Sequence, residues 1–150
     1  MQTPYSHILF PFDGSDPSRR AENAALGLAE SLGCHLTLLH VVPSFPVTLY
    51  AEGAMSAAPD PAEYERQQRS AGEQLLAPLK ATAAARGIAC DAMVAVNDQP
   101  YLAIIAAAER FNCDLILMAS HGRRGWAGLL LGSETQKVLT HSKMPVLVYR

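Results

Sequence analysis

Short runs of hydrophobic residues alternate along the chain with longer segments in which hydrophobic residues recur at helical spacing. Five such runs predict strands at residues 7–13, 35–42, 91–96, 114–119 and 145–149. The runs are apolar almost throughout, which is typical of parallel strands covered by helices on both faces. The chain is therefore expected to form a sheet buried between two layers of helices.

The segments between the strands predict four helices. In residues 16–32 the hydrophobic positions follow the i, i+3, i+4, i+7 rule, with Asp16 as N-cap, Pro17 in the first turn and Gly33 as terminator. The other helices are expected at residues 61–86, from residue 100 onward, and at residues 133–142. This alternation, with right-handed crossovers, predicts an open, doubly wound parallel sheet in one α/β domain spanning residues 1–150.

Two of these helices carry more detailed predictions. Pro78 is expected to kink the second helix. The side chains expected to face the core are Leu75, Leu79 and Ala83 in the second helix, and Ile104, Ile105 and Ala108 in the third. Residues 43–60 contain several prolines and little periodicity, so they are predicted to form a loop.

Composition narrows the class of protein. Of the 150 residues, 49% are hydrophobic and 17% are charged, below the usual ~25%, as expected for strands buried on both faces. Twelve basic against 14 acidic residues give a net charge of −2, which argues against a nucleic-acid partner. Neither a membrane span nor the basic and apolar regions of a signal peptide is recognisable, so a cytoplasmic location away from membranes is expected.

Three cysteines, Cys34, Cys90 and Cys113, precede predicted strands and are far apart in sequence. Their odd number and wide spacing argue against a disulfide framework. No Cys-x-x-Cys motif or histidine-rich segment accompanies them, so they are interpreted as small buried residues rather than metal ligands.

Two loops at the carboxyl ends of predicted strands carry the candidate chemistry. Residues 11–15 follow the first strand, and residues 119–132 follow the fourth. In doubly wound sheets, ligands bind outside the carboxyl ends of the strands, where the strand order reverses. Both loops would frame one crevice if the first and fourth strands are neighbours, an adjacency that the sequence alone leaves open.

The second of these loops has the features of a phosphate cradle. Gly122 and Gly132 would let main-chain amides approach an anion, and a helix starting at Ser133 would add its positive end. The spacing of these glycines fits neither the Gly-x-Gly-x-x-Gly motif nor the phosphate-binding loop of nucleoside triphosphatases. Ser133 with Gln136 also fits a capping box, which is a purely structural alternative. The carboxylate of Glu134 would repel a phosphate, so only its amide is expected to take part, with the side chain turned outward.

Several polar residues near these loops allow two interpretations. Asp13 could accept hydrogen bonds from ribose hydroxyls or adenine, or form an Asx-turn, and the roles can coexist on its two oxygens. Arg123 and Arg124 could screen phosphates or lie in a solvated loop. His121 lacks the partners of a catalytic triad, which favours a loop-stabilising role. His40, within the second strand, is expected to be a hydrogen-bonded core histidine.

Taken together, these motifs resemble the universal stress protein family. The matching segments are Pro11-Phe12-Asp13-Gly14-Ser15, Leu39-His40-Val41, Ala119-x2-Gly122-x9-Gly132-Ser133 and Pro145-Val146-Leu147-Val148. The resemblance covers essentially the whole chain. It implies a five-stranded parallel sheet of order 3-2-1-4-5, with a Rossmann-like fold of the adenine nucleotide alpha hydrolase type. It also implies a homodimer paired through the last strand, at Val146, Leu147 and Val148.

The ATP-binding branch of that family implies roles for single residues. Val41 would contact adenine through its main chain, and Ala119 would lie beside the ribose. The other candidate contacts are Pro11, Phe12 and Asp13 at the adenine and ribose, and Gly122, Arg123, Gly132, Ser133 and the Glu134 amide at the phosphates. The family pattern has glycine at the position of Ala119. A methyl group there costs about 1 kcal/mol if the position needs a positive φ, and nothing otherwise.

The leading hypothesis is a cytoplasmic stress-response module that binds ATP or AMP, with Mg²⁺ accompanying ATP. Hydrolysis should be slow at most, because no phosphate-loop lysine, base or arginine finger is placed at the γ-phosphate. The alternative is a homodimeric member of the same family that binds no nucleotide and contacts a protein partner through residues 47–55 or Trp126. A third hypothesis is an enzyme of a related α/β fold that transfers an adenylyl group. It ranks last, because such an enzyme would need a His-x-Gly-His-type motif, which the sequence lacks.

Overall fold

A computed structural model describes residues 2–46, 60–122 and 130–150. In these ranges the strands are β1 (His7–Pro11), β2 (His35–Val42), β3 (Cys90–Val96), β4 (Leu115–Ala119) and β5 (Val146–Tyr149). The helices are α1 (Asp16–Leu32), α2 (Pro61–Ala85), α3 (Pro100–Arg110) and α4 (Ser133–His141). Neighbouring strands are parallel and follow the order β3-β2-β1-β4-β5. The doubly wound sheet and its strand order are therefore confirmed.

The sheet is covered on both faces, as the unbroken apolar runs indicate. Ile8 and Phe10 of β1 face one core, which α1 and α2 complete with Leu26 and Leu76. Leu9, between them, faces a second core that α3 and α4 complete. Because successive side chains of a strand point to opposite faces, a strand between two helical layers needs apolar residues at every position.

Several element boundaries differ from the sequence prediction by one or two residues. β1 ends at Pro11, although the Phe12 amide still donates to the Leu39 carbonyl over 2.8 Å. The N-cap of α1 is Ser15, whose hydroxyl accepts from the Ser18 amide at 3.3 Å, so the prediction of Asp16 as N-cap was wrong. A serine at this position can cap the helix while the acidic side chain enters the first turn, where it favours the helix dipole.

The buried faces of α2 and α3 also differ slightly from the prediction. Leu76 is fully buried, whereas Leu75 is only partly so. In α3, Ala107 is buried and Ile105 is half-exposed. The other predicted core residues, Leu79 and Ala83 in α2 and Ile104 and Ala108 in α3, are buried as expected. Helix α2 is continuous from Pro61 to Ala85 and contains Pro78.

The amino ends of β1 and β4 are joined by the side chain of Asp114. Its Oδ2 accepts from the Ser6 amide (2.8 Å) and hydroxyl (2.7 Å), and its Oδ1 accepts from the His7 amide (3.0 Å). Burial alone would raise the pKa of this carboxyl, but the hydrogen bonds from His7 and Ser6 hold the pKa below its usual value. The charged carboxylate therefore supports the pairing of the two central strands.

Gly72 allows α2 to approach the sheet closely. A Cβ atom built at this position would lie 2.8 Å from Val94 Cγ2 and 2.9 Å from His40 Cδ2. The two neighbours have little room to give, since valine is stiff at χ1 and the histidine is hydrogen-bonded to Phe12. Gly27 of α1 offers a contrast, because a Cβ there meets no atom within 4 Å.

The cysteine thiols are reduced and protected by burial. Cys34 and Cys113 are buried and Cys90 is half-buried. Burial raises the pKa of Cys90 and of Cys113 to about 11, so these thiols stay protonated at neutral pH. The prediction of small buried residues is confirmed for Cys34 and Cys113, whereas Cys90 is only half-buried. No helix in the described ranges is long and apolar enough to span a bilayer.

We expect Gly72→Ala to lower the free energy of unfolding by about 1–2 kcal/mol, because overpacking outweighs the gain in helix propensity. The matched control, Gly27→Ala, should raise it by about 0.5–1 kcal/mol, since only the propensity gain applies there. Urea unfolding of both variants measures the difference. Equal effects of the two substitutions would contradict the close contact between α2 and the sheet.

Asp114→Asn should lower the free energy of unfolding by about 1 kcal/mol at pH 7, because hydrogen bonds to a charged group are replaced by weaker ones. A carboxyl whose pKa is lowered on folding stabilises the protein above its unfolded pKa of about 3.9 and loses this effect as the pH falls through its folded pKa. The difference in stability between the two proteins should therefore shrink as the pH falls below about 3.9, the pKa of the unfolded carboxyl. Denaturant titrations at several pH values measure this, and a difference that does not change with pH would refute it.

Candidate functional site

The loop after β1 is a tight, hydrogen-bonded turn. Asp13 Oδ1 accepts from the Ser15 amide over 2.9 Å, which is the predicted Asx-turn. Gly14 has a φ of +76°, a conformation that glycine adopts without strain. Arg19 closes the turn from α1, where its Nε donates to the Gly14 carbonyl over 3.1 Å. The turn therefore fixes the position of the Asp13 side chain.

The loop after β4 meets this turn. β1 pairs directly with β4, with Ile8 opposite Leu115 and Leu9 opposite Ile116. At the carboxyl ends of these strands, a Cβ atom built on Gly122 would lie only 2.9 Å from Asp13 Oδ2. The adjacency that the sequence left open is thus confirmed, and bare backbone at residue 122 faces a carboxylate of the neighbouring loop.

The far end of the β4 loop folds back onto its beginning. The Gly132 amide donates to the Ser120 carbonyl over 2.7 Å. A Cβ atom on Gly132 would lie 3.2 Å from His121 Cα and 3.3 Å from the Ser120 carbonyl oxygen. The Thr135 hydroxyl adds a bond of 3.0 Å to the Ala119 carbonyl. Glycine at residue 132 therefore lets the start of α4 lie against residues 120–122.

The capping box predicted for Ser133 was wrong. The N-cap of α4 is Gly132, in an extended conformation, and Ser133 is the first helical residue. The amide of Gln136 donates to the Gly132 carbonyl (3.0 Å), and its side-chain amide donates to the Leu131 carbonyl (3.1 Å). Because the N-cap lacks a side chain, no side-chain oxygen from residue 132 covers the amides of the first turn, which have no acceptor within the helix.

The side chain of Glu134 contacts the start of α3. Its Oε2 accepts from the Tyr101 amide over 2.8 Å, and its Oε1 lies 3.2 Å from Lys137 Nζ. Lys137 also lies 5.4 Å from the centre of the Tyr101 ring. The carboxylate therefore caps a neighbouring helix and is paired with a lysine. Sequence reasoning missed this contact, because no local spacing relates residues 101 and 134.

Pro11, Val41 and Ala119 lie at the same edge of the sheet. Pro11 is the last residue of β1, opposite Leu39, and Val41 is partly buried next to the α3–α4 core. Ala119 ends β4 and is buried. Among the described residues other than glycine, only Asn112 has a positive φ, so the methyl group of Ala119 causes no backbone strain.

Phe12 is held from three sides. Its ring is buried and lies 5.7 Å from the Arg19 guanidinium. Its amide donates to the Leu39 carbonyl (2.8 Å), and its carbonyl accepts from His40 Nδ1 (2.8 Å). The expectation that His40 is a hydrogen-bonded core histidine is therefore confirmed. Phe12 supports the turn rather than presenting its ring at the edge of the sheet.

Other polar contacts at this edge join loops to one another. Ser120 Oγ lies 3.0 Å from His121 Nδ1, as expected for a loop-stabilising histidine. After β2 and β3, the Ser44 amide and hydroxyl donate to Asp98 over 2.9 and 2.7 Å, and these bonds lower the pKa of Asp98. This Ser44–Asp98 clamp fixes the exit of β2 beside Val41, and no local sequence pattern relates residues 44 and 98.

Some of the predicted residues lie outside the described ranges. These are Arg123, Arg124, Trp126 and the segment 47–55. Within the described ranges, no group of three or more histidine, cysteine and acidic side chains is arranged to hold a metal ion.

Comparisons with known proteins agree with this architecture. The family model described as "Universal stress protein family" matches residues 4–150. The universal stress protein YxiE of Bacillus subtilis is 30% identical over 148 residues, covering 97% of this chain and 99% of the relative. A universal stress family protein from Burkholderia pseudomallei has a crystal structure that superposes with a TM-score of 0.74 at 26% identity, covering 97% of this chain and 96% of that one.

A further solved relative is described as a universal stress protein in complex with cAMP. It is 25% identical, with a TM-score of 0.65, and the match covers 97% of both chains. The family model spans nearly the whole sequence, and the relatives are matched over almost their entire length. The chain therefore belongs to the universal stress protein family.

Proposed function

We propose that this protein binds an adenine nucleotide, ATP or AMP, at the carboxyl edge of the sheet between β1 and β4. The observation that carries the proposal is the close approach of Gly122 to Asp13, where a Cβ atom would lie 2.9 Å from the carboxylate. Such side-chain-free backbone lets a ligand contact main-chain amides directly. The relative described in complex with cAMP supports adenine nucleotides as the ligand class.

The phosphates would lie against the backbone of the β4 loop and the start of α4. The amides of Gly122 and of the first-turn residues Ser133 and Glu134 would supply donors, and the helix dipole would favour negative charge. The Gly132 amide is bonded to the Ser120 carbonyl, so Gly132 would contribute space for the phosphates rather than a donor. A Cβ atom on Gly132 would lie 3.2 Å from His121 Cα, so the missing side chain lets the start of α4 lie close to residues 120–121. Arg123, next in sequence to Gly122, would add positive charge.

The ribose and adenine would lie on the side of β1 and β2. Asp13 would accept from ribose hydroxyls, a role that its carboxylate can combine with the Asx-turn bond from the Ser15 amide to Oδ1. Ala119 would lie beside the sugar, and Pro11 and the main chain of Val41 would line the adenine. The Ser44–Asp98 clamp would hold the exit of β2 in place for this contact.

The charge of Glu134 is compatible with a bound phosphate. Its carboxylate caps α3 through Tyr101 and pairs with Lys137, which offsets the repulsion that an isolated carboxylate would exert on a phosphate. Mg²⁺ would accompany ATP through the phosphate oxygens. We propose that hydrolysis is slow at most, and that the protein acts in the cytoplasm as a nucleotide-responsive module in stress responses.

We also propose a homodimer that pairs through β5. This strand lies at the edge of the sheet, with Leu147 and Tyr149 39% and 38% exposed. The Pro145 and Tyr149 carbonyls accept from β4, so the main-chain groups of Val146 and Val148 point away from it. Those groups would bond to the same strand of a second copy. A dimer without nucleotide remains the alternative function, and the two proposals are tested separately.

We expect the purified protein to bind ATP or AMP in calorimetry, and Gly122→Ala combined with Gly132→Ala to weaken the affinity about tenfold or more, or roughly 1.4 kcal/mol. The added methyl groups would displace Asp13 Oδ2 and the start of α4. Gly27→Ala is the matched control, since a Cβ there meets nothing within 4 Å, and it should bind like the unmodified protein.

Nucleotide released from the denatured protein would identify the ligand by absorbance and mass. Titrations with ATP, AMP and cAMP, with and without Mg²⁺, would rank the candidates, and phosphate release would measure hydrolysis. Binding that is unaffected by the two alanine substitutions would place the nucleotide elsewhere. Absence of binding by the unmodified protein would favour the nucleotide-free dimer.

Val148→Pro should convert the dimer to a monomer while leaving the fold intact, because proline is tolerated in an edge strand where its nitrogen faces outward. Ala92→Pro is a matched control in β3, the opposite edge strand. The Ala89 carbonyl accepts from β2, so by the same alternation the Ala92 amide also points outward. Size-exclusion chromatography with light scattering at micromolar concentration measures both. A monomeric unmodified protein, or dissociation by the β3 variant alone, would contradict pairing through β5.

A further inference from the structure

Leu39 and His40 of β2 hold Phe12, the residue that precedes Asp13. Phe12 lies just beyond the end of β1, beside β2. Its amide donates to the Leu39 carbonyl (2.8 Å), and its carbonyl accepts from His40 Nδ1 (2.8 Å). Two consecutive residues of β2 thus bind both polar main-chain groups of Phe12.

The His40 ring is confined in the orientation that this bond needs. A carbonyl oxygen can only accept, so the proton lies on Nδ1 of the ring. On its other side the ring lies against α2, where a Cβ on Gly72 would come within 2.9 Å of His40 Cδ2 and within 2.8 Å of Val94 Cγ2. The glycine lets the helix press against the ring, which limits rotation of the side chain.

The direction of the Phe12 carbonyl sets the peptide plane that leads into Asp13. From that plane, the Asp13 carboxylate extends to the Ser15 amide through Oδ1, at 2.9 Å, and faces Gly122 through Oδ2. A change at His40 would therefore be transmitted through one peptide unit to the carboxylate at the junction of the two loops.

We propose that His40 is a positioning residue for the nucleotide site, acting through Phe12 on Asp13. This inference rests on the proposed nucleotide binding. His40 does not touch the ligand in this assignment. Its hydrogen bond keeps Asp13 in the orientation that accepts the ribose, and its effect requires a donor at the δ position of the side chain.

Three variants separate this role from a general effect on stability. His40→Leu removes the donor, whereas His40→Asn keeps a donor at the δ position. Thr37→Val is the control, since Thr37 lies on the opposite face of the same strand and also loses a side-chain hydrogen bond, to His7 Nε2 (2.7 Å). Thermal unfolding would verify that each variant is folded.

Two measurements are made on each variant. Calorimetry with ATP and AMP should show about tenfold weaker binding for His40→Leu, and binding within about threefold of the unmodified protein for His40→Asn and Thr37→Val. Hydrogen exchange of the Ser15 amide, which reports its bond to Asp13, should accelerate at least about tenfold in His40→Leu and not in Thr37→Val.

Binding by the unmodified protein and by His40→Leu with equal affinity would overturn the role of His40 and leave the proposed function standing. An unchanged Ser15 exchange rate in His40→Leu would also overturn it. Failure of the unmodified protein to bind any adenine nucleotide would overturn the proposed function itself. Weaker binding in His40→Leu with rescue by His40→Asn would support the positioning role.

Discussion

β1 and β4 lie side by side at the centre of the sheet, and the contacts of the candidate site depend on this pairing. The chain leaves β1 toward α1 on one face and leaves β4 toward α4 on the other. These two loops therefore lie at the point where the strand order reverses, which is where ligands bind in doubly wound sheets. Asp114 fixes the amino ends of the same two strands, so their register determines how Asp13 and Gly122 meet at the other end.

Close approach of backbone recurs at the candidate site and in the packing of α2 against the sheet. At Gly122 the backbone approaches a carboxylate, at Gly132 it approaches the preceding loop, and at Gly72 a helix approaches a histidine. None of these three has a positive φ in the structure, in contrast to Gly14, Gly33 and Gly87. Glycine is required at these three positions because a side chain would not fit, and not because the backbone conformation demands it. The close packing that results compensates for the conformational entropy that glycine loses on folding.

Periodicity predicted the sheet, the helices and the general position of the site, because each of these follows from local patterns of residues. The pairing of β1 with β4 needed the family resemblance or the structure. The predicted N-caps were wrong at two helices, in each case by one residue. The N-cap of α1 is Ser15 rather than Asp16, and that of α4 is Gly132 rather than Ser133. The contacts of Glu134 with Tyr101, and of His40 with Phe12, join residues about 30 positions apart, and no local spacing encodes them.

Four helices begin at the carboxyl edge of the sheet, and their first turns differ in the protein groups that meet them. The start of α1 is capped by Ser15, and the start of α3 receives the carboxylate of Glu134. Helix α4 begins at a glycine, which has no side chain with which to cap it. The residue that follows in its first turn, Glu134, directs its carboxylate to the neighbouring helix instead. The positive ends of α1 and α3 thus receive oxygen atoms of protein side chains, and α2 begins at Asp60 with Glu63 in its first turn. Helix α4 begins next to the bare backbone of Gly122 and Gly132, where an anionic ligand would be a favourable partner.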